Sequence, residues 1–524
     1  MSNIEDELEA VDDDIPEHIL WEAMLSGVDE QLARDPHAVE PAFKRAQLLW
    51  SLGRTNEAKL AYAYVLTLSP AHFGAINNLG TLLCSIGRKK DARTCYAEAV
   101  LQHPNNPTGH VNLANLLLQN EEFDSAREHY EKALLLDFDH AEAHQGLASL
   151  FEKLGNEDAA EHHRRIGFKY RSKIIVPYRG KGQPVHVLLL VSATRGNARL
   201  QKFLSDRIYS VTVMFVEYCD LTPPLPPHQL IINAIGNADL CKQALETAEK
   251  VISLSSAPVL NSPASVLRTG RVSMARRLMH IPGLITPFME IMSRNILDKP
   301  DCFDVLASKG YTVPFLLRAP GFNNGRYFFK IENAHDMAEA LKLLPGQDIT
   351  VIQFLDACNA DGKIRKFRVM FIDKKLYPLH LAISHQWKIH YITAEMADNP
   401  ENRAEEEAFL NNMPKVLGQG AMKTLKTICD VLNLDYGGID FSLTDKGEIL
   451  LFETNATMTV SPPSQDARWT YRRAPIDRVM KAIDRMIIQK AMSHMGRDAF
   501  LILILPVILK CATYLCSISR LFCV

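Results

Sequence analysis

The chain has 524 residues, of which 47% are apolar and 23% charged, and its formal net charge is -3. This length suits two to four domains, and the composition is that of a globular chain. The small net charge excludes a nucleic-acid binder that relies on bulk charge. The charge is nevertheless segregated, because the first 30 residues carry eleven acids and neither lysine nor arginine. We therefore expect residues 1–38 to be an acidic leader that includes a first helix.

A repeat of 34 residues follows the leader. Small residues, a glycine, a tyrosine and a proline recur at this spacing: Ala46, Gly80, Ala114 and Ala148; Ala58, Ala92, Ala126 and Ala160; Gly53, Gly87 and Gly155, with Glu121 in the remaining slot; Tyr62, Tyr96 and Tyr130; Pro70 and Pro104. Small residues let two helices approach, a glycine closes the turn and a proline ends the second helix.

This pattern resembles the tetratricopeptide repeat, and it predicts an all-α solenoid of four units over residues 39–172. Arg164 and Ser172 replace the tyrosine and proline in the fourth unit, which we interpret as the capping end. The resemblance implies a protein or peptide partner in the groove of the solenoid.

A change of pattern begins after residue 172. Residues 173–184 are rich in glycine, proline and charge, which predicts a linker. Continuous apolar runs at 185–191, 209–218 and 230–236, with a helical pattern at 238–254, predict a parallel sheet covered on both faces. We expect an α/β domain over residues 185–275.

The pattern over residues 276–492 is that of an α+β domain. Predicted strands lie at 314–320, 327–331, 349–355, 365–372, 375–384, 437–443 and 448–455. The last two are joined by a TDKG turn, which predicts a hairpin. Helices are expected at about 405–433 and, as a basic amphipathic helix, at about 475–492.

Three oxygen-bearing side chains on this hairpin are candidate metal ligands. Glu453 and Asn455 are two residues apart on one strand and so face the same side, and the hairpin brings Asp440 opposite them. Two carboxylates and an amide oxygen suit Mg²⁺. A polar outer face is the alternative, but carboxylates on such apolar strands need compensating partners.

Arginines beside glycines form a second set of candidates. Arg318 ends an apolar strand and is followed by a loop that contains Gly321 and Gly325, while Arg271 and Arg368 lie elsewhere in the same region. Guanidinium groups bind phosphate oxygens in bidentate fashion, and glycine loops can close over phosphate. Each arginine taken singly is as well explained as a surface charge.

Together these features over residues 185–490 resemble the ATP-grasp superfamily of carboxylate–amine ligases. The resemblance is closest at YGGIDF and LLFETN, and it implies a pre-ATP domain followed by a nucleotide- and metal-binding domain. It implies ATP and Mg²⁺ as cofactors, with Gln353, Phe354 and Leu355 at adenine and Asp356 at ribose. Arg271 and Arg318 would hold phosphates, where the family often has lysines. Arg368 would lie near the γ-phosphate.

The segment at 380–391 is the best candidate for substrate recognition. His380, His385 and His390 recur at five-residue intervals around Trp387, and His380 is a candidate for acid–base chemistry. Arg468 and Arg472 are candidates for binding a substrate carboxylate. The alternatives are loop histidines packed around the tryptophan and a solvated basic helix face.

The reaction we expect joins a small carboxylate to an amine or peptide through an acyl phosphate. The alternative is an interaction scaffold whose nucleotide domain is degenerate or regulatory. A third use of the same fold would transfer phosphate to a stable acceptor.

Ten scattered cysteines without a zinc spacing, and no N-terminal signal pattern, predict a cytoplasmic protein. The C-terminal tail, 493–524, contains an apolar run at 499–518 that is long enough to span a bilayer. Lys510 and Pro506 within it disfavour a span, so we expect membrane contact only as an alternative.

Overall fold

A computed structural model describes residues 17–322, 325–389 and 394–493 of the protein. The chain divides into two compact units. The first contains the residues up to 186 together with 204–223, and the second contains 187–203 and the residues from 224 onward. The first part of the acidic leader and the apolar run at 499–518 lie outside the described residues.

The described part of the first unit begins with nine consecutive helices. They are α1 (Glu17–Arg34), α2 (Val39–Ser51), α3 (Thr55–Leu68), α4 (Phe73–Ser85), α5 (Lys89–Gln102), α6 (Pro107–Gln119), α7 (Phe123–Leu136), α8 (Ala141–Leu154) and α9 (Glu157–Phe168). Each helix packs on the next along the chain, which is the arrangement expected of a solenoid of helical pairs. The predicted all-helical solenoid is confirmed.

The repeated small residues and tyrosines form the core of this solenoid. A Cβ added at Gly80 would lie 2.7 Å from the ring of Tyr96, and one at Gly146 would overlap the ring of Tyr130. Both tyrosines are buried. The missing Cβ therefore makes room for an aromatic ring between two helices.

The turn that joins the two helices of a unit needs a left-handed residue. Gly53, Gly87 and Gly155 have φ values of 70°, 82° and 79°, and Glu121 has a φ of 64° at the equivalent position. Glycine adopts this conformation without the steric penalty that a side chain meets. The third turn therefore keeps the geometry of the repeat with a residue that is less suited to it.

A strand occupies part of the segment that was predicted to be a linker. Strand β1 (Lys173–Val176) pairs antiparallel with β3 (Tyr209–Phe215), so that Ile174 lies opposite Val213. The linker prediction is therefore wrong for these four residues, because a distant partner strand satisfies their backbone groups. The predicted strand at 209–218 is also shorter, since residues 216–218 form a 3₁₀ turn.

The second unit begins with a parallel arrangement. Strand β4 (Leu230–Asn233) lies between β2 (Val185–Val191) and β5 (Val259–Leu260) and is parallel to both. Helices α10 (Lys242–Ser253), α11 (Pro263–Leu267) and α12 (Arg271–Leu278) follow these strands. The strands are almost completely buried, as the continuous apolar runs predict for a sheet covered on both faces.

Two further sheets form the rest of the second unit. The four-stranded sheet has the order β7 (Met289–Ser293), β10 (Asp348–Gln353), β8 (Phe315–Arg318), β9 (Phe328–Ile331). The five-stranded sheet has the order β12 (Lys375–Ser384), β11 (Ile364–Ile372), β13 (Tyr436–Leu443), β14 (Ile449–Asn455), β6 (Leu284–Ile285). All neighbouring strands in them are antiparallel except β14 and β6.

Helices complete the second unit. They are α13 (Arg294–Leu297), α14 (Cys302–Ser308), α15 (Ala334–Leu343), α16 (Pro400–Asn411), α17 (Met413–Leu432) and α18 (Arg473–Met492). The single helix predicted at 405–433 is wrong, because two helices meet at Asn412, whose side chain caps the second. Gly418, with a φ of 78°, adds a kink inside that second helix.

Candidate functional site

A row of polar side chains crosses four strands of the five-stranded sheet. Arg368 on β11 is the register partner of both His380 on β12 and Asp440 on β13, and Asp440 is the partner of Glu453 on β14. Register partners on neighbouring strands have their side chains on one face. The hairpin therefore places Asp440 opposite Glu453, as the sequence predicted.

Ion pairs hold this row together. Arg368 donates from Nε and Nη2 to the two oxygens of Asp440, at 2.6 and 2.7 Å. The Nζ of Lys366 lies 2.7 Å from Asp440 Oδ2. Asp440 is completely buried, so its charge is stable there only because two cations compensate it.

These contacts set the protonation states of the row. Burial favours the neutral carboxyl of Asp440, but Arg368 and Lys366 outweigh it and hold its pKa well below the ordinary value. Burial and the charge of Arg368 lower the pKa of His380 well below its ordinary value. His380 is therefore a neutral imidazole at pH 7, and Asp440 is ionised.

Irregular strand pairing affects the direction of the side chains in this row. The pairing of β11 with β12 shifts next to Arg368, and the pairing of β13 with β14 shifts next to Asp440. Such irregularities redirect side chains and are frequent beside functional sites. Gly438 needs to be glycine, because a Cβ there would lie 2.6 Å from the carbonyl oxygen of Val369.

Two arginines reach the row from other elements. Arg271, the first residue of α12, donates from Nη2 to Glu453 Oε2 at 2.9 Å. Arg318, at the end of β8, is buried and lies over the ring of Phe328 at 5.4 Å. Burial and the nearby Arg271 lower the pKa of Arg318 to about 10, so it remains a cation at pH 7.

A cavity of about 790 Å³ opens in front of these groups, and we call it the first cavity. Its lining residues come from the four-stranded sheet and from the five-stranded sheet that contains β11 to β14. They include the charged and polar residues Arg271, Arg318, Lys366, Arg368, His380 and Glu453, and the apolar residues Met289, Ile352, Phe354, Trp387 and Leu450. The cationic side chains outnumber the carboxylates, and such a site favours a ligand that carries several negative charges.

The predicted hinge strand contributes most of its expected residues to this cavity. Gln353, Phe354 and Leu355 line it, and Gln353 is hydrogen-bonded through its backbone N–H to the carbonyl oxygen of Phe288 at 2.8 Å. Asp356 is exposed, accepts the N–H of Cys358 at 2.9 Å and does not line the cavity. Asp356, the residue predicted to contact ribose, therefore lies outside the lining of the cavity.

The candidate substrate residues divide into two groups. Trp387 and Arg472 line the first cavity. His385 is exposed and pairs with Glu395 at 2.8 Å, and Arg468 is exposed and pairs with Asp466 at 2.7 Å. His390 lies outside the described residues.

The sequence suggested that Arg472 is available to bind a substrate carboxylate, but the structure pairs it with a carboxylate of the protein. It is buried and forms an ion pair with the buried Glu406, with Nε 3.0 Å from Oε2. Tyr471 donates its hydroxyl to the same oxygen at 2.5 Å. The arginine therefore has a structural partner 66 positions away, which no local sequence pattern could have indicated.

The glycine-containing loop after β8 borders the first cavity. Gly321 and Gly325 have φ values of 77° and 70°, which a glycine adopts without strain. Gly325 lines the first cavity, and the side chain of Lys388 lies 2.7 Å from where its Cβ would be. Lys388 also lines the cavity, and sequence analysis did not single it out.

The oxygen donors fit Mg²⁺ in kind. Glu453 lines the cavity, and Asn455 Oδ1 accepts hydrogen bonds from Thr457 N and Oγ1, each at 2.5 Å. Both oxygens of Asp440 are taken by cations in this structure. Within the described ranges, no three His, Cys, Asp or Glu side chains cluster as metal ligands. The predicted set has two carboxylates, so phosphate oxygens would have to complete it.

Comparisons with known proteins identify the solenoid. Two family models described as tetratricopeptide repeat match residues 43–110 and 107–140. Residues 43–140 are tetratricopeptide repeats. Such repeats are protein-interaction modules, and their presence indicates a peptide or protein partner. No protein of curated function matches the chain.

Solved structures that are similar to part of the chain include tetratricopeptide-repeat proteins. MamA from Desulfovibrio magneticus RS-1 is 24% identical with a TM-score of 0.26, and the match covers 27% of this chain and 81% of MamA. A thermophilic tetratricopeptide-repeat protein of Thermus thermophilus is 20% identical with a TM-score of 0.26, covering 29% and 83%. YrrB, a tetratricopeptide-repeat protein with an unusual peptide-binding site, is 18% identical with a TM-score of 0.25, covering 28% and 74%.

The membrane alternative concerns the apolar run near the C-terminus. Among the helices that the structure describes, none combines the length and the apolar character that a membrane span requires. The apolar run at 499–518 lies beyond the described part of the chain.

Proposed function

We propose that the second unit is an ATP-grasp ligase that joins a carboxylate to an amine, using Mg-ATP. The observation that carries this proposal is the row His380–Arg368–Asp440–Glu453, which faces a cavity of about 790 Å³ lined by additional cations. The cavity volume lies within the range of sites for small molecules and cofactors.

The cations would act on the phosphates of ATP. Arg271, Arg318, Lys366 and Arg368 supply four positive charges around the carboxylates of Asp440 and Glu453. Preorganised positive charge stabilises the charge that develops during phosphoryl transfer, and it does so best in a site that excludes water. In this proposal the buried Asp440 also orients Arg368 and Lys366.

The apolar part of the cavity would hold the adenine ring of ATP. The rings of Phe354 and Trp387 lie 6.4 Å apart, and Lys330 lies over Phe354 at 4.7 Å. Aromatic faces and backbone groups of a strand suit a flat heterocycle. This placement supports the role that the family resemblance gives to Gln353–Leu355.

Magnesium would be held by Glu453, Asn455 and phosphate oxygens, because both oxygens of Asp440 are already paired with Lys366 and Arg368. Asp440, which the sequence predicts as a third ligand, would instead position these two cations. When bound, it supplies a Lewis acid that neutralises phosphate charge. The residues of this chain bind and orient the reactants. His380 lies next to Arg368 and has a pKa well below its ordinary value, so in this proposal it acts as a neutral hydrogen-bonding group.

The test is carboxylate- and amine-dependent release of ADP by the full chain, compared with Asp440→Asn. The variant removes one charge that orients two cations, and we expect release to fall at least about 100-fold, in line with the loss of a preorganised electrostatic group. The matched control is Asp445→Asn, because Asp445 is an exposed acid in the hairpin turn. Undiminished release by Asp440→Asn would contradict the assignment.

An interaction scaffold is the second candidate, and the tetratricopeptide repeats favour it. Amide side chains recur along the first helices of two successive units, where Asn112 Nδ2 donates to Asn77 Oδ1 at 2.8 Å. Asn115, also on a first helix, accepts the hydroxyl of Tyr130 from the second helix at 2.6 Å. Amide groups at such positions suit the backbone of an extended peptide. In this case the nucleotide domain would be regulatory.

A further inference from the structure

A second cavity, of about 270 Å³, adjoins the first in the same unit. The two cavities share Arg271, Arg318 and Glu453. A molecule in the second cavity can therefore meet the same arginines as a ligand in the first.

Loops that follow strands form this second cavity. It lies at the segment after β4, at the start of α12, at the loop after β8 and at the end of β14. Ligands of α/β sheets commonly bind outside the carboxyl ends of parallel strands. A Cβ at Gly236 would lie 2.5 Å from Thr457 Cγ2 and 2.8 Å from the carbonyl oxygen of Ala456, so two of the loops are in close contact.

Charges of both signs face this small space. Asp239 is an exposed residue of the lining, and its charge acts on Arg318, which lines the same cavity. Asn237, Thr269 and Thr457 add uncharged polar groups. Met274, Ala275 and Phe322 add apolar surface.

We infer that the second cavity binds a small α-amino acid, with its carboxylate at Arg271 and Arg318 and its ammonium group at Asp239. This inference rests on the proposed ligase function. The arginines are shared with the first cavity, so the end of the amino acid that meets the nucleotide is its carboxylate. The amino acid is therefore the substrate that becomes activated.

Asp239 also has a local role, which the test must separate from ligand binding. Its two oxygens each accept the backbone N–H of Arg271 at 3.2 Å, at the start of α12. A carboxylate has about four acceptor sites, so this contact leaves capacity for an ammonium group. Asparagine at this position keeps a helix-capping acceptor and removes the charge.

The chemistry balances with ATP as the co-substrate. A carboxylate oxygen of the amino acid attacks the γ-phosphorus, the bond from that phosphorus to the bridging oxygen breaks, and ADP leaves. The amine of the second substrate then attacks the carbonyl carbon. Inorganic phosphate and one proton are released as the amide forms.

The experiment traps the acyl phosphate with hydroxylamine, which replaces the second amine and gives a hydroxamate. The full chain is incubated with Mg-ATP and each of the α-amino acids found in proteins. Each is paired with the acid that lacks its amino group, as propionate is paired with alanine. We expect hydroxamate from at least one small amino acid, and at least tenfold less from its paired acid.

Variants test the position of the ammonium group. We expect Asp239→Asn to raise the KM for the amino acid at least tenfold, with kcat and the KM for ATP changed less than twofold. Glu249→Gln, on the exposed face of α10, is the control and should change neither KM.

Three results would overturn the inference. These are no hydroxamate from any amino acid, equal yields from the paired acids, and an unchanged KM in Asp239→Asn. Equal yields from acids that lack an amino group would leave the ligase function standing. Failure of the protein to bind ATP would refute that function and the inference together.

Discussion

Glu406 and Arg472 form a buried ion pair beside the first cavity. The side chain of Glu406 has no exposed surface, and that of Arg472 is 7% exposed. Burial raises the pKa of Glu406 and lowers that of Arg472, so each group depends on its buried partner to remain charged at pH 7. Removing one partner leaves a buried charge uncompensated.

We therefore expect Arg472→Met to lower the free energy of unfolding by about 3–5 kcal/mol, because Glu406 loses its cation. The double variant Glu406→Gln with Arg472→Met should recover part of this loss, since no lone charge remains. Urea denaturation of the full chain measures both. A single variant as stable as the original protein would show that the pair contributes nothing.

Glu121 occupies a turn position that favours glycine. Its φ is 64°, where the equivalent residues are glycines. Left-handed backbone costs a residue with a side chain about 1–2 kcal/mol. We expect Glu121→Gly to stabilise the solenoid by about 1 kcal/mol, as measured by urea denaturation.

The reciprocal control for this turn is Gly87→Ala. A Cβ at Gly87 would contact nothing within 4 Å, so only its φ of 82° opposes the substitution. This variant should be destabilised. Equal stabilities of Glu121→Gly and the original protein would show that the turn is not strained.

Paired histidines connect helices within two units of the solenoid. His110 Nδ1 lies 3.0 Å from His129 Nδ1, and His144 Nδ1 lies 2.8 Å from His163 Nδ1, one repeat further along. Nε2 of His110 and His144 contacts a backbone carbonyl oxygen at 2.9 Å, so it carries the proton. One Nδ1 of each pair must then accept from the other.

The hydrogen bond between the two Nδ1 atoms of a pair requires that one of them carries no proton. Burial, together with the partner histidine, lowers the pKa of His129 and lowers that of His163 to about 4; the nearby Glu128 and Glu131 oppose this. The unfolded chain, with an ordinary His pKa of about 6.5, therefore binds more protons than the folded chain. The stability from these pairs is fully present above about pH 6.5 and is lost as the pH falls toward about 4.

We expect the urea midpoint of the helical circular-dichroism signal to fall between about pH 7.5 and about pH 5. In the variant with His129→Gln and His163→Gln the fall should be smaller, because glutamine donates a hydrogen bond without titrating. An identical fall in both proteins would contradict the assignment of the pH dependence to these pairs.

The elements of the solenoid follow from the sequence because each contact within it is local. The 34-residue spacing of Tyr96, Tyr130 and the turn glycines predicts where the helices lie. It also predicts the turn position that Glu121 occupies in place of a glycine. The hairpin of β13 and β14 is also local, and its TDKG turn and apolar strands predict the pairing of Asp440 with Glu453.

Contacts between distant segments limited the other predictions. The strand at 173–176 exists because residues 211–214 pair with it, and α16 ends where Asn412 caps the next helix. Asp356, His385 and Arg468 are polar residues near the site in sequence, but each has a local partner outside the cavity. Spacing alone does not distinguish these from cavity-lining residues.

At the scale of the whole molecule, the chain combines an interaction module with a region built around a charged cavity. The tetratricopeptide repeats indicate a peptide or protein partner. The second unit concentrates Arg271, Arg318, Lys366 and Arg368 around two carboxylates, although the net charge of the chain is only -3. The proposed ligase function therefore requires that this cavity binds a nucleotide.

Calorimetric titration of the full chain with Mg-ATP tests this claim most directly. We expect one nucleotide to bind per chain, and Arg318→Gln to weaken binding at least tenfold because a buried cation is lost from the cavity. Lys309→Gln, which changes an exposed lysine paired with Glu290, should bind as the original protein does. The absence of Mg-ATP binding by the original protein would contradict the ligase account and favour the scaffold.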